Sequence, residues 1–139
     1  FFLKKNTLFV NDSKGTNVES TVKAIEAFKN KIILIAGGEN KKICNDELIK
    51  KINERVGFVY LIGETGIILE KEMEKVGYKR YKNLETLEKV LLDISENIDF
   101  EDNQTVLFSP ATASFDQFKN FEERGRIFKE LTNKILGEK

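Results

Sequence analysis

The chain has 139 residues, the size of a single domain, and its formal charge of +0 comes from 23 basic and 23 acidic residues spread along its length, which argues against a polyanion-binding arm. It has no histidine, which removes the commonest general base, the Ser/His and Cys/His nucleophile pairs and most transition-metal sites, and its one cysteine, Cys44, cannot form an internal disulfide. No stretch approaches the roughly 20 apolar residues of a membrane span and Phe1-Phe2-Leu3 is too short for a signal-peptide core, so the expectation is a soluble cytoplasmic monomer with no nucleic-acid or membrane partner.

From residue 7 onward, short β-branched or aromatic runs alternate with segments of helical period, the βαβα pattern of an α/β fold. Thr7 to Val10 reads as the first strand, and Asn11-Asp12-Ser13-Lys14-Gly15-Thr16-Asn17 follows it as a polar loop. Val18, Val22, Ile25 and Phe28 then recur at helical spacing before a second strand, Ile32 to Ala36. Gly37-Gly38-Glu39-Asn40-Lys41-Lys42 leads to a helical stripe of Leu48, Ile49, Ile52 and Val56, and Phe58 to Ile62 is the third strand. A fourth strand is expected at Tyr78 to Tyr81, with Asn83 capping a helix that carries Leu84, Leu87, Leu91, Ile94 and Ile98. Thr105 to Phe108 is the fifth strand, the residues from Ser109 to Asn120 form a loop, and Phe121 to Leu136 is the last helix, packing through Phe121, Phe128, Leu131 and Ile135. Most of these strands are too apolar to be half exposed, which predicts a Rossmann-like, mostly parallel sheet flanked by helices.

Ligands of open parallel sheets bind beyond the carboxyl ends of the strands, where loops and helix N-termini converge. Singly, each loop has an ordinary reading. The first is a polar turn with Thr16 or Asn17 as cap, the second a glycine turn, and the third a capping region in which Ser114 or Asp116 caps and Phe118 and Phe121 are core. Together they would open on one sheet edge, and that convergence argues for a site. Neither G-x-x-x-x-G-K-[ST] nor G-x-G-x-x-G occurs, so the chain has no recognisable phosphate loop and can assist a nucleotide site without housing one.

The run from Asn11 to Asn17, Gly37-Gly38 with Lys41, Ser109-Pro110-Ala111 through Ser114-Phe115-Asp116, and Asn120-Phe121-Glu122 with Arg124-Gly125 and Phe128 resemble the C-terminal domain of the D-glutamate-adding Mur ligases. The order and spacing hold over nearly the whole chain. The resemblance implies that residues 1–139 are the amino-acid-binding domain of a cytoplasmic bacterial enzyme of peptidoglycan synthesis, with the UDP-sugar-binding and central ATPase domains absent from this chain. Such a ligase uses ATP to activate the carboxylate of UDP-N-acetylmuramoyl-L-alanine as an acyl phosphate, which the amine of D-glutamate attacks. By motif, Thr16, Lys41, Ser114, Phe115 and Phe121 are implied D-glutamate contacts. Asp12 and Lys14 are implied contacts to ATP, with Lys14 stabilising charge on the transferred phosphoryl group. ATP and Mg²⁺ are implied for the full-length enzyme, bound mainly by the other domains, so no metal ligand is assigned here. The fragment alone is expected to be inactive, and its opening at Phe1, with Met73 the only methionine, reads as a part cut from something longer.

Four positions depart from the family pattern. Gly15 stands where alanine is usual and Thr112 where cysteine is usual, while Asn40 and Lys42 replace Asp and Gly. The second pair leaves open whether Lys41 or Lys42 meets the amino acid, with Lys41 preferred by spacing. Competing readings are another Mur or folylpolyglutamate-type ligase domain, and a stand-alone receiver-like binding module, although the third strand ends in Gly63-Glu64-Thr65 without a phosphoacceptor Asp.

Overall fold

A computed structural model describes residues 2–12, 18–38, 46–109 and 121–137. In chain order the elements are β1 (Phe2–Lys4), β2 (Thr7–Asn11), α1 (Val18–Ala27), β3 (Lys31–Gly38), α2 (Asp46–Arg55), β4 (Val56–Ile62), α3 (Gly63–Lys75), β5 (Tyr81–Glu85), α4 (Leu87–Asn97), β6 (Gln104–Phe108) and α5 (Phe121–Leu136). The six strands form one sheet in the order β1-β2-β6-β3-β4-β5. Every neighbouring pair is parallel except β1 with β2, which form an antiparallel hairpin.

Alternation along the central strands feeds two cores. Ile32, Leu34 and Ala36 of β3 face one layer and Ile33 and Ile35 the other, so the strand is buried on both sides. The first layer is closed by Val18, Val22 and Ile25 of α1, Leu48, Ile49 and Ile52 of α2, and Leu69 and Met73 of α3. The second is closed by Leu87, Val90, Leu91 and Ile94 of α4 and Phe128 and Leu136 of α5, with the Phe128 ring stacked on Phe108 at 4.6 Å.

The predicted α/β class and mostly parallel sheet hold, and several local expectations are corrected. The fourth strand lies at Tyr81–Glu85, not Tyr78 to Tyr81. Tyr78 is instead a core residue just past α3, its hydroxyl donating to the Val56 carbonyl at 3.0 Å. Asn83 and Leu84 belong to that strand, so Asn83 caps nothing; Thr86 is the N-cap of α4, its side chain accepting from the Lys89 amide at 3.3 Å. Val56 opens β4 rather than closing α2. The structure also contains α3 and β1, which the periodicity of the sequence does not predict. Gly77 marks the end of α3: with φ +78° it lets its own amide reach the Glu74 carbonyl at 3.1 Å and the Tyr78 amide reach the Met73 carbonyl at 2.9 Å, a Schellman ending.

Candidate functional site

Because β6 is inserted between β2 and β3, the carboxyl ends of these three strands lie side by side. The chain leaves β2 and β3 toward α1 and α2 on one face, and leaves β6 toward α5 on the other. Neighbouring exits to opposite faces open a crevice at the strand ends. The three segments proposed to converge, 13–17, 39–45 and 110–120, are those that follow β2, β3 and β6. The predicted contacts Lys14, Thr16, Lys41, Ser114 and Phe115 lie outside the described residues, as does the side chain of Phe121, the first residue of α5.

Asp12 is described, and the structure brings it together with the motif residue Ser109 and with Thr21, which the sequence reading did not single out. Its amide donates to the Phe108 carbonyl at 2.8 Å, extending the β2–β6 ladder by one bond past the strand. Its carboxylate Oδ2 accepts from the Ser109 hydroxyl at 2.8 Å. Ser109 is fully buried, and its amide donates to the Ile35 carbonyl at 3.2 Å, fixing the start of the third loop against β3. Thr21, also fully buried, places its Oγ1 2.9 Å from Ser109 Oγ and 3.2 Å from the Ser109 carbonyl oxygen. Asn11 at the end of β2 donates from Nδ2 to the Gly125 carbonyl at 2.8 Å, tying the strand to the first turns of α5. Arg124, in the same turns, is fully buried and engaged in interactions of its own. A polar Thr21 within the apolar helical stripe of Val18, Val22 and Ile25 was the available sequence signal for this cluster.

A second polar group lies away from this edge. A cleft of about 410 Å³ is lined by Lys31, Gly57 and Gln104 at the amino ends of their strands and by Tyr60, Lys82 and Asn97. The last three converge on Asp93 of α4: Tyr60 Oη donates at 2.6 Å, Lys82 Nζ at 3.0 and 3.2 Å to the two oxygens, and Asn97 Nδ2 at 3.0 Å. Burial, followed by the bond to Asp93, pushes the Tyr60 hydroxyl above the usual phenol range. Burial alone would raise Asp93, but the donors Tyr60, Lys82 and Asn97 outweigh it and hold the carboxyl below its ordinary value. These side chains satisfy one another, which is the arrangement of a structural link between β4, β5 and α4. Among the described residues no group of three or more His, Cys, Asp or Glu is placed to hold a metal ion, and no helix is long and apolar enough to cross a membrane.

No family model matches the chain. Curated relatives do. The chain is 45% identical over 139 residues to the UDP-N-acetylmuramoylalanine–D-glutamate ligase of Fusobacterium nucleatum, an alignment covering 99% of this chain and 32% of the relative. The chain is therefore a homologue of a domain-sized part of this ligase. Ligases of the same name from Caldicellulosiruptor bescii and Trichodesmium erythraeum are 41% identical over 131 residues and 40% identical over 124, covering 92% and 89% of this chain but 28% and 27% of the relatives. The chain thus spans roughly 30% of the length of these D-glutamate ligases. The receiver-like alternative fails on topology: receivers of the flavodoxin-like class order their strands 2-1-3-4-5, whereas here the last strand sits between the first two parallel ones.

Proposed function

We propose that this chain is the C-terminal, amino-acid-binding domain of an ATP-dependent ligase that adds D-glutamate to UDP-N-acetylmuramoyl-L-alanine in the bacterial cytoplasm. The observation that carries the reading is the alignment of the three motif-bearing exits, after β2, β6 and β3, on one sheet edge of a chain 45% identical to such a ligase. D-glutamate presents two carboxylates. Lys41, with the hydroxyls of Thr16 and Ser114 and the segment around Phe115 and Phe121, holds both and leaves the amine free to attack. Each charge-assisted hydrogen bond contributes about 1.5 to 3 kcal/mol.

Asp12 and Lys14 serve the nucleotide. ATP, when bound with Mg²⁺ mainly by the other domains of the full-length enzyme, supplies the phosphoryl group that activates the acceptor carboxylate. Among the described residues the Asp12 carboxylate accepts one bond, from Ser109, and a carboxylate offers about four lone-pair sites, so a ribose hydroxyl fits beside it. Lys14 places a positive charge where the phosphoryl group is transferred. The domain contributes position and charge rather than a covalent catalyst, and a chain without histidine suffices for that.

The test is ADP release by the complete gene product supplied with ATP and UDP-N-acetylmuramoyl-L-alanine. Release should require D-glutamate, and the 139-residue chain alone should release none and bind D-glutamate only at about millimolar Kd. Equal turnover with a different acidic amino acid would instead favour another Mur-type or a folylpolyglutamate-type ligase. Within the complete enzyme, Lys41→Ala should raise the D-glutamate KM about tenfold or more and the ATP KM much less. A larger effect from Lys42→Ala would move the contact to that residue.

A further inference from the structure

We propose that Thr21 and Ser109 are positioning residues for the Asp12 carboxylate, acting as a directed chain of hydroxyls that runs from α1 through the end of β6 to the end of β2. The proposal rests on the reading of Asp12 as a nucleotide contact. Proton counting sets the direction. Ser109 Oγ has one hydrogen, and it goes to Asp12 Oδ2 at 2.8 Å. In the 2.9 Å contact between the two hydroxyls Thr21 is therefore the donor, sharing its hydrogen with the Ser109 carbonyl at 3.2 Å. The chain ends on a charge, which strengthens each bond in it.

The anchor points are rigid. Thr21 and Ser109 are both fully buried, while Asp12 is partly exposed at the loop edge. The Asp12 amide is held by the Phe108 carbonyl and the Ser109 amide by the Ile35 carbonyl, so the backbones of these two members belong to the extended ladder, while Thr21 is held in α1. Packing alone does not ask for hydroxyls here, since apolar groups of the same shape can replace a buried hydrogen-bonded pair at nearly neutral cost. What valine and alanine could not do is orient a carboxylate. The chain also joins the segment that follows β2 to the one that follows β6, so the nucleotide-facing residue is placed by the strand end that leads into the D-glutamate loop.

The experiment uses the complete gene product and measures Tm, kcat and the KM of ATP and of D-glutamate. Ser109→Ala should raise the ATP KM about tenfold with kcat within about twofold, and Thr21→Val about threefold. Thr21→Ser, which keeps the hydroxyl, should restore the ATP KM. Adding Ser109→Ala to Asp12→Ala should change the ATP KM no further, because the carboxylate it positions is gone. An unchanged ATP KM in Ser109→Ala and Thr21→Val, with only Tm lowered, overturns the proposal, and so does a Ser109→Ala effect that persists in full beside Asp12→Ala. If Asp12→Ala itself leaves the ATP KM unchanged, the nucleotide role of Asp12 falls and the positioning role with it. That pattern is distinct from one in which Asp12→Ala acts and Ser109→Ala does not.

Discussion

Two glycines with positive φ separate steric need from conformational freedom. At Gly37, φ is +120° and an added Cβ would lie 1.9 Å from the Ile62 carbonyl oxygen, a backbone atom of the neighbouring strand. Gly77, φ +78°, has nothing within 4 Å of its would-be Cβ. Gly37→Ala should therefore cost about 3 kcal/mol or more, since β3 and β4 must part, and Gly77→Ala only about 1 to 2 kcal/mol of left-handed strain. Urea midpoints of the two variants decide this; equal losses would show that the β3–β4 approach yields easily. The Tyr60–Asp93 pair gives a pH dependence with two arms. Asp93 is lowered from 3.8 on folding, so its contribution is present above about pH 4 and lost as pH falls further. Tyr60 is raised from 10.0, so its contribution is present below pH 10 and lost as pH climbs above it. Tyr60→Phe should cost about 1 to 2 kcal/mol at neutral pH and make the alkaline arm shallower, Tyr78 and Tyr81 being raised as well, and Asp93→Asn should flatten the acid arm. Stability profiles that keep both slopes in the variants would place the titration elsewhere.

Elements were legible in the sequence where one face carried the pattern. The stripe of α1 and the apolar runs of β3 and β6 announced themselves because burial there is nearly complete. The edge strand β5 did not, because Tyr-Lys-Asn-Leu-Glu is partly or largely exposed throughout and its neighbour Tyr78 looks more like a strand residue. In α3 the stripe was blurred by Ile67, 55% exposed, and by Val76 just past the helix, 52% exposed. The three-residue β1 is too short for any periodicity; it is fixed by tertiary contacts, with Lys4 Nζ donating to the Leu136 carbonyl at 2.9 Å and lying 5.4 Å from the centre of the Phe100 ring. Lys4→Ala should fray the last turn of α5, seen as faster amide exchange over 133–136 at a stability loss of about 1 kcal/mol or less. Unchanged exchange there would mean that packing of Leu136 alone holds the turn.

At the scale of the molecule, the candidate site was legible only as loops. Its motif residues could be read in line, and a parallel sheet implied that they open on one edge, but the placement of β6 between β2 and β3 has no local signal. Long-range pairing decides it, and with it the Asp12–Ser109–Thr21 cluster, whose members lie up to 97 positions apart. Both cores share the one sheet, so the chain should unfold in a single transition, with tyrosine fluorescence and far-UV circular dichroism giving the same urea midpoint. Separate midpoints would show that one helical layer leaves the sheet before the other.

The late arrival of β6 also shapes how the protein is made. Of the elements of this sheet, the β1–β2 hairpin leaves the ribosome before the others, yet β2 pairs in parallel with a strand whose partner residues come later by 97 positions, Thr7 meeting Gln104. At ordinary translation speeds the wait is about 5 to 20 s, during which Phe2, Phe9 and Val10 have no sheet to enter. Nascent hairpins on neighbouring ribosomes could pair with one another in that interval. Lys4, Lys5 and Asn6 at the turn are the charged and polar residues that discourage it.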